Sequence, residues 1–323
     1  MEKERISYHQ SVLRAYQRIK KDGITNIWDR YEAQGLGQSP DQRCPFCMGG
    51  VRCDLCSNGP CRADASNDKR GVCGITADGM AMRMMLLRNV LGASTYHYHT
   101  EQTIKTLRAT ASGKTPFRIQ EPEKLKIFSE KLGLRGDRGI NQLAVELCDF
   151  VEKDFYSKDE SLIVKALASE ERKEKWKELG IFPTGIHNEI LLATSSCLTN
   201  VDGFYGSLAL KAMRMGIAMA YQSQIVNEFV QDILFGIPKP HQMRVDLGVL
   251  DPDYVNVLPN GHEPFLGFAM VQLARKKEWQ DRAKAVGAKG LRVIASIETG
   301  QEMIQRWEMD EVFYGFSGNW LMQ

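Results

Sequence analysis

Apolar residues recur at helical spacing through most of the first 235 residues. This pattern predicts a helix over residues 11–31 and a methionine- and leucine-rich helix over Gly79–Val90. Amphipathic segments continue between residues 118 and 185, and helical spacing extends from Gly185 to Phe235. The charge runs on these segments are interpreted as solvated helix faces. The first part of the chain is therefore predicted to be mostly helical.

Beyond residue 240, short β-branched runs alternate with helical stretches, as is typical of a parallel α/β sheet. The predicted strands and helices are Tyr254–Leu258, 266–277, Leu291–Ala295, 301–307 and Val312–Phe316. We predict a mixed fold, with an all-α cluster-binding domain over residues 1–240 and a Rossmann-like α/β domain beginning in residues 241–323. A parallel sheet needs cover on both faces, and nothing after the third strand supplies the next helix. The α/β domain is therefore expected to be incomplete.

Charge and cysteine usage limit the kind of protein this is. The chain of 323 residues has 42 basic and 40 acidic residues, a balance that argues against nucleic acid or membranes as partners. It has no apolar leader and no run of about 18 apolar residues, so we expect a cytoplasmic protein. Because the cytosol keeps thiols reduced, the eight cysteines indicate metal ligation or redox chemistry before disulfides.

Six of the eight cysteines lie in one segment, residues 44–73. One complete set of four sulfurs has the spacing C-x2-C-x4-C-x11-C and consists of Cys53, Cys56, Cys61 and Cys73. Thiolates select zinc, copper(I) or iron–sulfur clusters, and a four-iron cluster needs four cysteines. The alternative is a zinc ribbon, but its C-x2-C pairs are usually about 12–20 residues apart. Here the two pairs are separated by five residues, which favours iron and sulfide.

The four remaining cysteines call for different explanations. Cys44 and Cys47 form only half of a four-sulfur site, and a two-fold axis that brings two such pairs together would complete it. Cys148, in ELCDF, and Cys197, in TSSCLTN, are isolated in the sequence. We predict that these two are buried and behave as small apolar side chains.

The segments CDLCSNGPCR at 53–62 and GVCGITAD at 71–78 resemble the N-terminal region of anaerobic nickel–iron carbon monoxide dehydrogenases. The resemblance extends over the whole chain, including NGHEP at Asn260–Pro264, and is greatest to the subunit that partners acetyl-CoA synthase in acetogens. It implies a [4Fe-4S] relay, the B cluster, whose ligands by motif match are Cys53, Cys56, Cys61 and Cys73. It also implies a D cluster, [2Fe-2S] or [4Fe-4S], shared across a homodimer by Cys44 and Cys47 of each subunit.

The resemblance further implies a catalytic nickel–iron–sulfur C cluster, to which His262 would supply the histidine ligand. This position follows a parallel strand, where open α/β sheets place ligands. His97 and His99 are candidates for proton transfer, although residues two apart on a helix do not share a face. Two departures matter: loop 296–300 has no thiol where many members place a ligand, and the remaining C-cluster cysteines are missing from this chain.

The activity implied by the resemblance is CO + H2O → CO2 + 2 H⁺ + 2 e⁻, with electrons passing from C to B to D and on to ferredoxin. Because ligands of the C cluster are missing, the chain is expected to be inactive by itself. One alternative is an electron-transfer and dimerisation module that carries only the B and D clusters. Another is a hybrid-cluster protein, similar to hydroxylamine reductases, which the missing thiol near Glu298 keeps open.

Overall fold

The computed structural model describes residues 10–25, 29–30, 33, 50–199, 201–240, 244–245, 251–259, 264–294, 306 and 311–312. The chain divides into two compact units, one of Cys44–Gly236 and one that combines Met1–Arg43 with Ile237–Gln323. The domain ranges 1–240 and 241–323 stay a prediction. Helix α1 (Gln10–Lys21) is the first described element.

The unit Cys44–Gly236 is mostly helical, with one small sheet among its described residues. Its strands and helices are β1 (Val51–Cys53), β2 (Cys61–Ala63), α2 (Ala77–Ala111), α3 (Pro122–Lys131), α4 (Ile140–Phe155), α5 (Leu162–Leu167), α6 (Glu170–Glu178), α7 (Ile186–Ser196), α8 (Tyr205–Ala218) and α9 (Val226–Phe235). A π-helical segment, Met219–Ile225, joins α8 to α9.

Helix α2 is the central element of this unit and packs against α4, α7, α8 and α9. The hydroxyl of Thr76 caps it by accepting from the Gly79 amide at 3.2 Å. The helix is 35 residues long and extends well beyond the predicted Gly79–Val90. Its buried stripe continues through polar residues such as Thr100 and Thr103, whose hydroxyls bond to carbonyls one turn back. Hydrophobic spacing alone therefore missed the second half.

The expectation of an all-α first domain is wrong at the cysteine segment. Strands β1 and β2 pair antiparallel, with Val51 opposite Ala63 and Cys53 opposite Cys61. Three-residue strands are too short to show an alternating pattern, so hydrophobic periodicity could not predict them.

The π-helical segment Met219–Ile225 widens the backbone next to α2 and buries polar side chains. The amide of Gln222 is fully buried; its oxygen accepts from the Ile186 amide at 2.9 Å, and its nitrogen donates to the Thr184 carbonyl at 2.7 Å. These bonds satisfy the orphan amide at the start of α7. Such single π turns are rare and often accompany functional sites.

The later residues form two short parallel pairs. In chain order their elements are β3 (Arg244–Val245), β4 (Val255–Val257), α10 (Pro264–Ala274), α11 (Lys277–Ala285), β5 (Leu291–Val293) and β6 (Glu311–Val312). Strand β4 pairs with β5, and β3 pairs with β6, both parallel. The parallel pairing predicted for the strands now seen as β4 and β5 is confirmed. The Rossmann-like arrangement stays a prediction.

Two features of this part differ from the prediction. Strand β3 lies in a proline-bearing stretch that predicted only a connection. The predicted helix 266–277 is followed by a separate helix, α11, whose KEWQDRAKA sequence is too polar to show a strong apolar stripe. Gln280 joins α11 to β5, because its side chain exchanges two hydrogen bonds with the backbone of Leu291, at 2.7 and 3.0 Å.

No helix among the described residues combines the length and apolar character that crossing a bilayer requires.

Candidate metal-binding site

The hairpin of β1 and β2 positions three of the four predicted cluster cysteines. Cys53 and Cys61 lie opposite each other at the end of the strands, and Cys56 lies in the turn between them. The turn is tight at Gly59, where a Cβ atom would lie 3.2 Å from the Cys53 carbonyl oxygen and 3.3 Å from the Cys61 amide nitrogen. Because Gly59 has no side chain, the backbone of the turn can pass close to both Cys53 and Cys61.

The fourth cysteine, Cys73, reaches the hairpin through a turn just before α2. The Gly74 amide donates to the Gly71 carbonyl at 2.8 Å, and Gly74 has a φ of 84°, which favours glycine. A Cβ atom on Gly71 would lie 3.8 Å from Cys61 Cβ and 3.0 Å from the terminal methyl of Met80. The turn therefore lies directly against β2 and the first turn of α2.

The cysteines sit at the edge of one apolar cluster. Cys53 is buried, whereas Cys56, Cys61 and Cys73 are half-buried, and all four are free thiols. Ile75 and Met80 are buried in the same cluster. The donor set is thus four soft sulfurs with partial exclusion of water, which fits an iron–sulfur cluster or zinc.

A buried positive charge and several hydrogen bonds lie beside the cysteine sulfurs. Arg83 of α2 is only 2% exposed, and its guanidinium lies 3.9 Å from the Cys73 sulfur while it donates to the Asp202 carbonyl at 2.7 Å. The Thr199 hydroxyl, and then a backbone hydrogen bond at Asn58, lower the pKa of the Cys56 thiol below its usual value. A cleft of about 550 Å³, lined by Cys73, Arg83 and Asp202 among others, opens beside them.

The other predicted cluster ligands lie outside the described residues. These positions are Cys44, Cys47 and His262. Their roles in the D and C clusters stay predictions.

The two candidate proton-transfer histidines occupy different environments. His97 is buried, and its Nδ1 lies 2.8 Å from the hydroxyl of Ser223 in the π-helical segment. Burial lowers the pKa of His97 to about 4, so the ring is neutral at physiological pH. His99 is half-buried and lies edge-on to Tyr96, with 5.8 Å between the ring centroids. The two histidines thus do not point at one site.

A second cluster of ionisable groups, which sequence spacing did not reveal, surrounds His97. His187 Nε2 lies 3.0 Å from Glu101 Oε1, and His97 Nε2 lies 3.9 Å from the same oxygen. The Tyr156 hydroxyl donates to that oxygen at 3.2 Å, and its ring stacks on His187. The spacing of His97 and Glu101 on one helix face was visible in the sequence, but the approach of His187 depends on how α7 packs against α2.

The prediction for the isolated cysteines is confirmed. Cys148 is fully buried and Cys197 is nearly so. Burial raises the pKa of the Cys148 thiol to about 12, and it also raises the pKa of Cys197. Both thiols are therefore unreactive, and their side chains contribute to core packing.

A family model described as the Prismane/CO dehydrogenase family matches residues 51–323, which include the hairpin, α2 and both parallel strand pairs. The chain belongs to the Prismane/CO dehydrogenase family.

Relatives within this family support the assignment. Carbon monoxide dehydrogenase 2 of Methanosarcina acetivorans is 74% identical over 325 aligned positions, which cover 100% of this chain and 51% of the relative. The Archaeoglobus fulgidus carbon monoxide dehydrogenase is 50% identical, over 99% of this chain and 50% of that protein. The Moorella thermoacetica carbon monoxide dehydrogenase/acetyl-CoA synthase subunit beta is 31% identical, over 92% of this chain and 44% of its own length. The chain thus spans about half the length of the curated relatives it matches.

Solved structures agree with the family assignment. A nickel-free carbon monoxide dehydrogenase from Thermococcus sp. AM4 matches with a TM-score of 0.86 at 30% identity, over 97% of this chain and 50% of that one. Carbon monoxide dehydrogenase IV from Carboxydothermus hydrogenoformans matches with a TM-score of 0.83 at 30% identity, over 94% and 48% of the two chains.

Proposed function

We propose that this chain is the electron-relay part of an anaerobic carbon monoxide dehydrogenase that converts CO and water to CO2, two protons and two electrons. The observation that supports this proposal most directly is the arrangement of four free thiols on a hairpin and a turn, next to the buried guanidinium of Arg83. Family membership supports the same assignment. The proposed ligands of the [4Fe-4S] B cluster are Cys53, Cys56, Cys61 and Cys73.

The roles of the surrounding residues follow from their contacts. When bound, the B cluster supplies reversible one-electron transfer. Arg83 offsets the negative charge of the thiolates and donates toward the Cys73 sulfur, and the apolar layer under Cys53 limits access of water. Gly59 lets the backbone of the turn lie close to Cys53 and Cys61, and Gly71 lets the Cys73 turn lie close to Cys61.

The finer parts of the proposal concern residues and partners beyond this hairpin. Cys44 and Cys47 would form the D cluster with a second copy of the chain, and His262 would bind iron of the C cluster. Of the two candidates for proton transfer, His97 and His99, the proposal favours His99, because burial lowers the pKa of His97 to about 4 and keeps its ring neutral. Ferredoxin would accept the electrons in the cytoplasm, and an acetyl-CoA synthase subunit would be the partner, as the name of the Moorella thermoacetica relative suggests. The α/β part would continue as a Rossmann-like domain.

Iron and sulfide analysis of the anaerobically purified chain tests the relay. About six irons per chain would fit one cubane plus half of a shared cubane, and about five would fit a shared two-iron cluster. Cys56→Ser should lose the B cluster, whereas Cys148→Ser, which changes a buried thiol remote from any ligand role, should keep it. A colourless wild-type protein that contains zinc in place of iron would contradict the proposal.

The catalytic assignment needs a separate measurement. Nickel content together with CO-dependent reduction of a viologen dye, in the complete enzyme, would support carbon monoxide oxidation. Iron and sulfide without nickel would support the non-catalytic electron-transfer module. Hydroxylamine-dependent oxidation of a reduced dye without CO activity would support the hybrid-cluster alternative.

A further inference from the structure

Three ligand-type side chains converge on one point between α2 and α7. The atoms are His97 Nε2, Glu101 Oε1 and His187 Nε2, and all lie within 4.8 Å of one another. His97 and Glu101 are four residues apart on α2 and therefore share a face, while His187 lies in the first turn of α7. Because two packed helices carry the three side chains, their spacing is set by rigid elements.

The distances between these atoms match a four-coordinate transition-metal site. Zinc bonds to nitrogen and oxygen are about 2.0–2.2 Å, which places neighbouring ligand atoms of a tetrahedron about 3.3 Å apart. Glu101 Oε1 lies 3.0 Å from His187 Nε2 and 3.9 Å from His97 Nε2. These two values bracket the tetrahedral spacing, and all three atoms lie within 4.8 Å of one another, so small side-chain adjustments would admit an ion.

His97 supplies an independent indication that something belongs at this point. Its side chain is 97% buried, yet Nε2 has no hydrogen-bond partner within the described part of the chain. Buried polar atoms are rarely left in this state. The nitrogen is directed at Glu101, but 3.9 Å is too long for a hydrogen bond. The hydrogen bond between Glu101 and His187 therefore does not provide a partner for His97 Nε2.

The surrounding residues orient the ligands in the way that known metal sites do. Ser223 holds His97 Nδ1 at 2.8 Å, which leaves Nε2 as the outward nitrogen, and the Ser223 carbonyl accepts from the Thr100 hydroxyl at 3.2 Å. The Tyr156 ring stacks on His187 at 4.0 Å between centroids, with 14° between the planes. A hydrogen bond to the far ring nitrogen and a packed ring both fix ligand orientation.

We propose that His97, Glu101 and His187 bind one divalent transition-metal ion of the zinc type, with a fourth position left for water. Two histidines and one carboxylate are a ligand set that zinc accepts. The ion would join α2 to α7 and would give His97 Nε2 its missing partner. Tyr156 would keep its hydrogen bond to Glu101 beside the ion.

The test uses the anaerobic chain reconstituted with iron and sulfide, so that the cysteines are occupied before zinc is added. Calorimetric titration with Zn²⁺ should give one further site per chain, with sulfide content unchanged, and Zn²⁺ should raise the unfolding temperature. His97→Gln and His187→Gln should each weaken zinc binding at least tenfold. His99→Gln, on the same helix but outside the cluster, should bind as the wild type does.

Glu101→Gln covers the case in which a histidine variant fails to fold, because it keeps the shape and removes the carboxylate. It should also weaken zinc binding at least tenfold and abolish the rise in unfolding temperature. The proposal is overturned if the wild type takes up no zinc beyond its cysteine segment. It is equally overturned if the folded variants at His97, Glu101 and His187 bind zinc as tightly as His99→Gln does.

Discussion

Cys53 and Cys61 lie directly opposite each other in the last pair of the β1–β2 ladder. Opposed residues in an antiparallel pair direct their side chains to the same face, with Cβ atoms about 4.5–5.5 Å apart. The two sulfurs therefore project from one side of the hairpin, and the turn that carries Cys56 closes its end. Pairing of β1 with β2 thus places two cysteines that are separated in the sequence on the same face of the hairpin, where both can bind a metal.

Gly79→Ala should damage the cysteine segment through backbone packing. A Cβ atom at Gly79 would lie 2.2 Å from the Gly203 carbonyl oxygen, so α2 would have to separate from the loop that bonds to Arg83. We expect a loss of about 2 kcal/mol or more in unfolding free energy, and less iron per chain. Urea unfolding and iron analysis would measure both.

Gly92→Ala on the same helix is the matched control for that change. Nothing lies within 4 Å of a Cβ atom there, so alanine should stabilise the chain by about 0.5–1 kcal/mol through helix propensity. If both glycine variants behaved alike, close packing at Gly79 would not be the cause.

Arg83→Met should lower the reduction potential of the proposed B cluster. Removing a buried positive charge near the Cys73 sulfur destabilises the reduced, more negative cluster, and we expect a shift on the order of tens of millivolts. Anaerobic redox titration would measure it. Arg88→Met, at an exposed position of the same helix, should leave the potential unchanged.

Asp154→Ala should destabilise the helical unit by about 2–3 kcal/mol. The buried carboxylate accepts from the Ser161 hydroxyl at 2.6 Å and from the amides of Leu162 and Ile163. Its removal leaves these donors at the start of α5 without an acceptor. Chemical unfolding would measure the change. Asp159→Ala, at an exposed position between α4 and α5, should shift stability by no more than a few tenths of a kcal/mol.

Arg214→Met should be more harmful than removal of both members of its ion pair. Glu189 is 2% exposed and bonds to Arg214 at 2.8 Å, so the single change leaves a buried carboxylate without its cation, at a cost of about 3–5 kcal/mol. The double variant Glu189→Gln with Arg214→Met should recover part of that loss. A double-mutant cycle from urea unfolding checks the sign, and strictly additive losses would refute the coupling.

Cys148 should resist alkylation in the folded protein. Since its pKa is raised to about 12, only about one thiol in ten thousand is ionised at pH 8, and the side chain is fully buried. Iodoacetamide labelling followed by peptide mass spectrometry should show modification of Cys148 only after unfolding in urea. Rapid labelling under native conditions would contradict the buried placement.

The sequence by itself determined the features that depend on neighbouring residues. Apolar spacing predicted the helical first part and the parallel pairing of β4 with β5, and cysteine spacing singled out Cys53, Cys56, Cys61 and Cys73. These signals are local, because a helix face, a short strand or a metal-binding turn is encoded within a few residues.

Only the tertiary structure decided which distant side chains meet. Glu101 and His187 are 86 positions apart, and Arg83 and the Asp202 carbonyl are 119 apart, so nothing in the local pattern indicates that they bond. The full length of α2 could not be predicted from apolar spacing either, because its buried face contains His97 and Thr100 in place of apolar residues. Such contacts arise from the packing of α2 against α7 and α8, which brings residues distant in the sequence within hydrogen-bonding distance.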